Sequence, residues 1–165
     1  MKKKSYTYKD LHNKAVTYYH KFMSTFIILA ILNFVGVLLS LMRGNNDFFP
    51  SMISNILIFR LLSNVIENGI LFYVLIITIS ILFSSIFIII WSLSKNGNIK
   101  AIISGAALYL VDSILLFIFY IDDSYLIPQL FLHVIIIILM VLGIVNYYHI
   151  LAIERKFKGS NERNY

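Results

Sequence analysis

Residues 101–120 read AIISGAALYLVDSILLFIFY, 121–129 read IDDSYLIPQ and 130–149 read LFLHVIIIILMVLGIVNYYH. Two apolar runs flank a short polar turn, and each is long enough to cross a hydrocarbon core of about 30 Å as a helix rising about 1.5 Å per residue. In lipid every backbone N–H and C=O must be paired within the protein, so helix is the only local structure open to such runs. The stretch is therefore a hairpin of two membrane helices. It carries an acid, Asp112, and a histidine, His133, inside apolar sequence. Counted from Asp123 in the turn, Asp112 lies 11 residues back and His133 10 residues on. An antiparallel hairpin sets them at similar depth, within about one helical turn.

The composition of the whole chain agrees with this reading. Of 165 residues, 59% are hydrophobic and 13% charged, with a mean hydropathy of +0.83. A water-soluble domain of this size cannot hide so much apolar surface. The absence of cysteine excludes disulfides, thiol redox chemistry and thiolate metal sites. The net charge of +6 does not point to nucleic acid, because the cations cluster at the ends of apolar runs, where membrane topology accounts for them.

Upstream of the hairpin, 71–91 reads as a second span ending in Trp91, and 22–42 as a first span with Asn33 near its centre. Gly36 and Ser40 form a small-xxx-small pair that permits close helix approach, and Gly105 and Gly143 are the corresponding small residues of the hairpin. The turn at 92–100 contains Asn96-Gly97, a strong turn signal. The connection 43–70 contains a short helix at about 51–67, with Ser51 as its expected N-cap and Gly69 as its expected C-cap. Arg60, Ser63, Asn64 and Glu67 share one face and most other positions are apolar. This pattern suits an amphipathic helix lying in the outer interface, with a re-entrant helix capping the bundle as the alternative.

The expected fold is all-α: a polytopic membrane protein with four transmembrane helices at about 22–42, 71–91, 101–120 and 126–149 and one interfacial helix. A basic segment, 1–21, precedes them and a mobile basic tail, 150–165, follows. Tyr18, Tyr19 and His20 fit an interfacial belt, as do Tyr147 and Tyr148. With both termini cytoplasmic, the inner side holds twelve Lys and Arg and the outer side two, Arg43 and Arg60. That is a strong positive-inside bias for a cell-membrane protein. Lys2, Lys3 and Lys4 should attract anionic lipid headgroups, by about 1 kcal/mol each.

Asp112 is the most costly residue in the chain, since a carboxylate at the bilayer centre costs about 2.5–3.5 kcal/mol even on lenient scales. Gly105, Tyr109 and Asp112 lie on one stripe, from which Tyr109 is expected to donate its hydroxyl to Asp112 while His133 donates from the facing helix. Asn33 and Ser80 lie near the same level, which defines a candidate polar site of Asp112, His133, Tyr109, Asn33 and Ser80. Its functional reading is a proton relay or a site for an ion or polar substrate; its structural reading is a buried lock on helix register. One His and one Asp are too few ligands for a metal, and no cofactor motif is present. No HExxH, GxSxG or phosphate-binding glycine loop occurs, and Ser104 stands about 12 Å of helix rise from Asp112, too far for a Ser–His dyad with His133.

The pattern of Gly105, Tyr109 and Asp112, then an outer turn, His133 and Gly143, resembles a group of uncharacterised bacterial four-helix membrane proteins. The resemblance covers about the last third of the chain. It implies the hairpin pairing and carries no activity. Three functions follow as expectations: first, a non-enzymatic accessory or interaction subunit, paired with itself or another membrane protein; second, a proton- or ion-coupled transporter or channel subunit using Asp112 and His133; third, an intramembrane enzyme on a lipid-like substrate.

Overall fold

The computed structural model describes residues 7–43, 52–66, 69–120 and 126–161. They form six α-helices: α1 (Tyr8–Met23), α2 (Thr25–Arg43), α3 (Ile53–Val65), α4 (Ile70–Lys95), α5 (Ile99–Tyr120) and α6 (Leu126–Asn161). Four helical stretches are long and apolar enough to cross a membrane: Tyr8–Met42, in which α1 and α2 run on through Ser24, then Ile70–Lys95, Ile99–Phe119 and Ile127–Phe157.

The bundle is apolar on its outer face as well as through much of its core. Phe26, Phe87, Ile102, Tyr109 and Met140 fill the centre, while Ile31, Leu82, Val111, Ile118 and Val145 point outward and stay exposed. The buried set also includes Asn33, Ser80, Asp112 and His133. Polar side chains inside and apolar ones outside are what a lipid solvent selects. α2 packs along α4, α5 packs against α4 and α6, and α1 runs along α6.

The α4–α5 turn follows from its sequence. Gly97 takes a positive φ of 78°. Its N–H donates to the Ser94 carbonyl at 2.9 Å and the Asn98 N–H to the Leu93 carbonyl at 3.2 Å, which together close α4. The Asn98 side chain then accepts from the backbone of Lys100 and Ala101 and opens α5.

Two elements differ from expectation. The segment before the first span is helix, and α6 continues past His149 to Asn161 rather than ending in a mobile tail. The reason is mutual burial. Ala15, Tyr19 and Met23 recur every fourth residue on α1, and that stripe is buried, with Ile153 of α6 also buried. His12 Nε2 meets Glu154 Oε1 at 3.1 Å, and the rings of Tyr8 and Phe157 meet with centroids 4.5 Å apart and planes tilted by 48°. Tyr18 and His20 are exposed, as a belt requires, but Tyr19 is buried and donates its hydroxyl to the Ser94 carbonyl.

The second difference is α3. An interfacial helix would lie across the end of the bundle. Instead its first turn is buried, with Ile53, Asn55 and Ile56 inside, packed against Leu116 and Leu130. α3 begins at the level of Asn33, to which it is hydrogen-bonded. Asn33 stands ten residues, about 15 Å, before the end of α2. The chain thus leaves α2 at Arg43 and starts its next helix well back inside the bundle. The N-cap is Met52, with no side-chain cap bond of its own. Ser51 and Glu67 lie outside the described residues. The C-cap is Ile66, and Gly69 serves as the N-cap of α4.

Candidate functional site

The first turn of a helix leaves its leading N–H groups without helical partners. In α3 these groups point into the bundle, and side chains of other helices satisfy them. Asp112 of α5 supplies most of the acceptors. Its Oδ2 accepts from Ile53 N at 3.2 Å, and its Oδ1 accepts from Ser54 N at 2.9 Å and Ser54 Oγ at 2.7 Å. Asn33 of α2 supplies the rest: its Oδ1 accepts from Met52 N at 3.2 Å and from Asn55 Nδ2 at 2.8 Å. Its Nδ2 donates to Ser84 Oγ of α4 at 3.2 Å. The Asn55 N–H turns back to the Met52 carbonyl at 3.1 Å. Side chains on two helices therefore cap a third that has no cap of its own.

His133 of α6 closes the arrangement. Its Nε2 lies 3.2 Å from Asp112 Oδ2, and both side chains are almost wholly buried, at 3% and 2% exposure. Its Nδ1 lies 2.9 Å from the Gln129 carbonyl. A carbonyl oxygen only accepts, so Nδ1 carries hydrogen. The 3.2 Å approach of Nε2 to Oδ2 lets the two share one further proton. The pair with that proton is electrically neutral as a whole, whether it is drawn as imidazolium and carboxylate or as imidazole and acid. Tyr109 lays its ring on the imidazole, with centroids 4.9 Å apart and planes 16° apart.

The site departs from the expected set in two respects, the placing of Tyr109 and of Ser80. Asp112 and His133 meet across the α5–α6 hairpin, and Asn33 stands beside them through α3. Tyr109 does not donate to Asp112 among the described residues; its place one turn inward on α5 sets its ring against the imidazole instead. Ser80 is fully buried, yet its hydroxyl has no partner among the described residues, and Ser84, one turn along α4, takes the place expected of it. Gly36 and Ser40 are buried on the Asn33 stripe of α2. A Cβ on Gly105 would stand 2.5 Å from the Phe26 ring and 2.7 Å from Ile90, and one on Gly143 would run into the Met23 side chain. Asp122 and Asp123 lie outside the described residues.

Ser54, Asn55, Ser84 and Gln129 were missed as members. Ser54 and Asn55 lie off the Arg60–Ser63–Asn64 stripe of α3, and that offset was the available signal. The greater part of the capping is by backbone N–H, which residue types do not display. Among the described residues no group of three or more His, Asp or Glu side chains converges as a metal site would require. No protein-family model, curated protein or solved structure matches this chain.

Proposed function

We propose that this chain is a non-enzymatic, multi-pass protein of a bacterial-type cell membrane, acting as an accessory or interaction subunit. Both termini lie on the cytoplasmic side, as the positive-inside bias requires, and α3 enters from the outer side as a re-entrant helix. The observation that carries this reading is the saturation of Asp112. Its two oxygens take four hydrogen bonds from α3 and α6. A carboxylate so engaged holds a helix in place and presents no free lone pair to a passing ion. The clefts open sideways instead. One of about 370 Å³ lies between α2 and α4, lined by Ala30, Ile31, Phe34, Ile81 and Ser85. Another of about 260 Å³ lies between α5 and α6, around Ile103, Ala107, Leu110 and Val141. Apolar grooves with small residues at their floor suit a neighbouring membrane helix. On the inner side Lys21, Lys95 and Lys100 suit anionic headgroups, and Lys95 Nζ stands 5.4 Å from the Trp91 ring centroid.

A photo-crosslinking residue placed at Ile31 or Ile103 in intact membranes tests this. A discrete protein adduct, to a second copy or to another membrane protein, is the expected product. Adducts to lipid alone at both positions would overturn the reading.

A second reading, a proton-coupled transport subunit, is favoured by one observation: His133 Nε2 and Asp112 Oδ2 lie 3.2 Å apart in the buried centre, close enough to share a proton. In liposomes Asp112→Asn should then abolish proton flux while the fold persists. Equal flux in the variant would remove this reading.

A further inference from the structure

The geometry points to the Asp112–His133 pair as a proton-controlled latch on α3: with one shared proton it holds the first turn of α3 inside the bundle, and gain or loss of a proton releases that turn. This needs no flux through the protein and no partner, so it stands apart from both readings above.

The argument is a count of donors and acceptors. Every group that faces the Asp112 carboxyl is a donor: Ile53 N, Ser54 N, Ser54 Oγ and His133 Nε2. Three of the four cannot reverse. Backbone N–H groups only donate, and Nε2 donates as long as it carries the shared proton. Only the Ser54 hydroxyl can turn to accept. A second proton on the pair would thus leave a net positive charge buried in the site, with only the Ser54 hydroxyl able to turn and accept the acid hydrogen. Removing the shared proton would leave a net negative charge in the same buried site. Nδ1 keeps its hydrogen on the Gln129 carbonyl, so Nε2 would turn a lone pair toward a carboxylate oxygen 3.2 Å away. The singly protonated pair is the one arrangement that matches all of these contacts and leaves the buried site without net charge.

Groups from five helices surround the pair. α5 contributes Tyr109, whose ring covers the imidazole. α2 contributes Asn33 and α4 contributes Ser84, neither of them titratable near neutral pH. α3 contributes backbone and Ser54, with its cation Arg60 exposed and seven residues, about 10 Å, beyond Ile53. α6 contributes His133 itself and Gln129, which is buried with its Oε1 unpartnered among the described residues. The pair also lies toward one end of the bundle. Asp112 is eight residues, about 12 Å, from the end of α5 at Tyr120 and thirteen residues, about 20 Å, from its start at Ile99. On the longer side Phe26, Ile102, Ile136 and Met140 close the core.

The chain has no cysteine, so single-cysteine reporters are clean. Ile56→Cys places a thiol in the buried part of α3 and Leu61→Cys places one on its exposed part. The readout is the ratio of their maleimide labelling rates in mild detergent, which cancels the intrinsic pH dependence of the thiol. The ratio should be lowest at an intermediate pH and rise about tenfold or more toward both the acid and the alkaline limit of the folded protein, as local opening of α3 becomes populated. Adding His133→Gln replaces a titrating donor by a permanent one, so the alkaline rise should vanish while the acid rise remains. Adding Asp112→Asn should leave the ratio high and flat. Tyr109→Phe should leave the profile as it is. A flat, low ratio in the parent, with helicity and monodispersity intact, would overturn the latch. So would an alkaline rise that survives His133→Gln or disappears in Tyr109→Phe, since the titrating group would then lie elsewhere.

Discussion

At the scale of single residues, the cost of removing Asp112 exceeds that of a lost ion pair. Asp112→Ala strips acceptors from Ile53 N, Ser54 N and Ser54 Oγ and leaves His133 facing a void. Breaking a buried pair costs about 3–5 kcal/mol, and that much destabilisation should appear in unfolding measured in mild detergent. Gly105 gives a sharper contrast. Its Cβ would meet the Phe26 ring at 2.5 Å, so Gly105→Ala should cost about 1–3 kcal/mol through overpacking. Ser104→Ala, next to it on an exposed face, should stay within about 0.5 kcal/mol. The same unfolding measurement separates the two. Asp112, His133 and Asn33 were legible in the sequence because polar residues in apolar runs are expensive and few. The role of Tyr109 was not legible, because the stripe places a phenol near an acid without saying whether the hydroxyl or the ring face meets the site.

At the scale of elements, the hairpin, the Asn96-Gly97 turn and the second span could be read directly, since each depends on local length and turn chemistry. What escaped were the two elements stabilised only by distant partners. α1 carries many polar residues and no long apolar run; it is held because Ala15, Tyr19 and Met23 fit α6, 130 or so residues away in the chain. α3 looks amphipathic in isolation, but the groups that decide its position are backbone N–H groups meeting Asp112 and Asn33. The α1–α6 pairing makes a prediction of its own. His12–Glu154 is partly exposed, at 27% and 44%, and such pairs contribute about 1 kcal/mol or less. Glu154→Gln should therefore leave the labelling of cysteines on α1 almost unchanged. Ala15→Asp sets a charge into the buried stripe and should expose them. If Glu154→Gln separated the helices as fully as Ala15→Asp, the electrostatic pair rather than the packing would be what holds them.

For the whole molecule, four helices long and apolar enough to cross a membrane divide the interactions into two classes with different responses to detergent. Backbone hydrogen bonds within α2, α4, α5 and α6 have no competitor in an apolar medium and need no tertiary contact. The docking of α3 depends on side chains of α2, α5 and α6 meeting at one point, and nothing within α3 itself replaces them, since its N-cap offers no side-chain bond. Transfer from a mild detergent to sodium dodecyl sulfate should accordingly leave most of the far-ultraviolet helical signal while Ile56→Cys becomes as reactive as Leu61→Cys. Loss of helicity in step with that reactivity would mean that the spans depend on tertiary packing as soluble helices do. Undiminished protection of Ile56→Cys would mean that the apolar contacts of Ile53 and Ile56 with Leu116, rather than the capping by Asp112 and Asn33, keep α3 in the bundle. The capping argument favours the first outcome, because apolar contacts gain little over detergent tails, whereas an N–H left without an acceptor in that environment costs several kcal/mol.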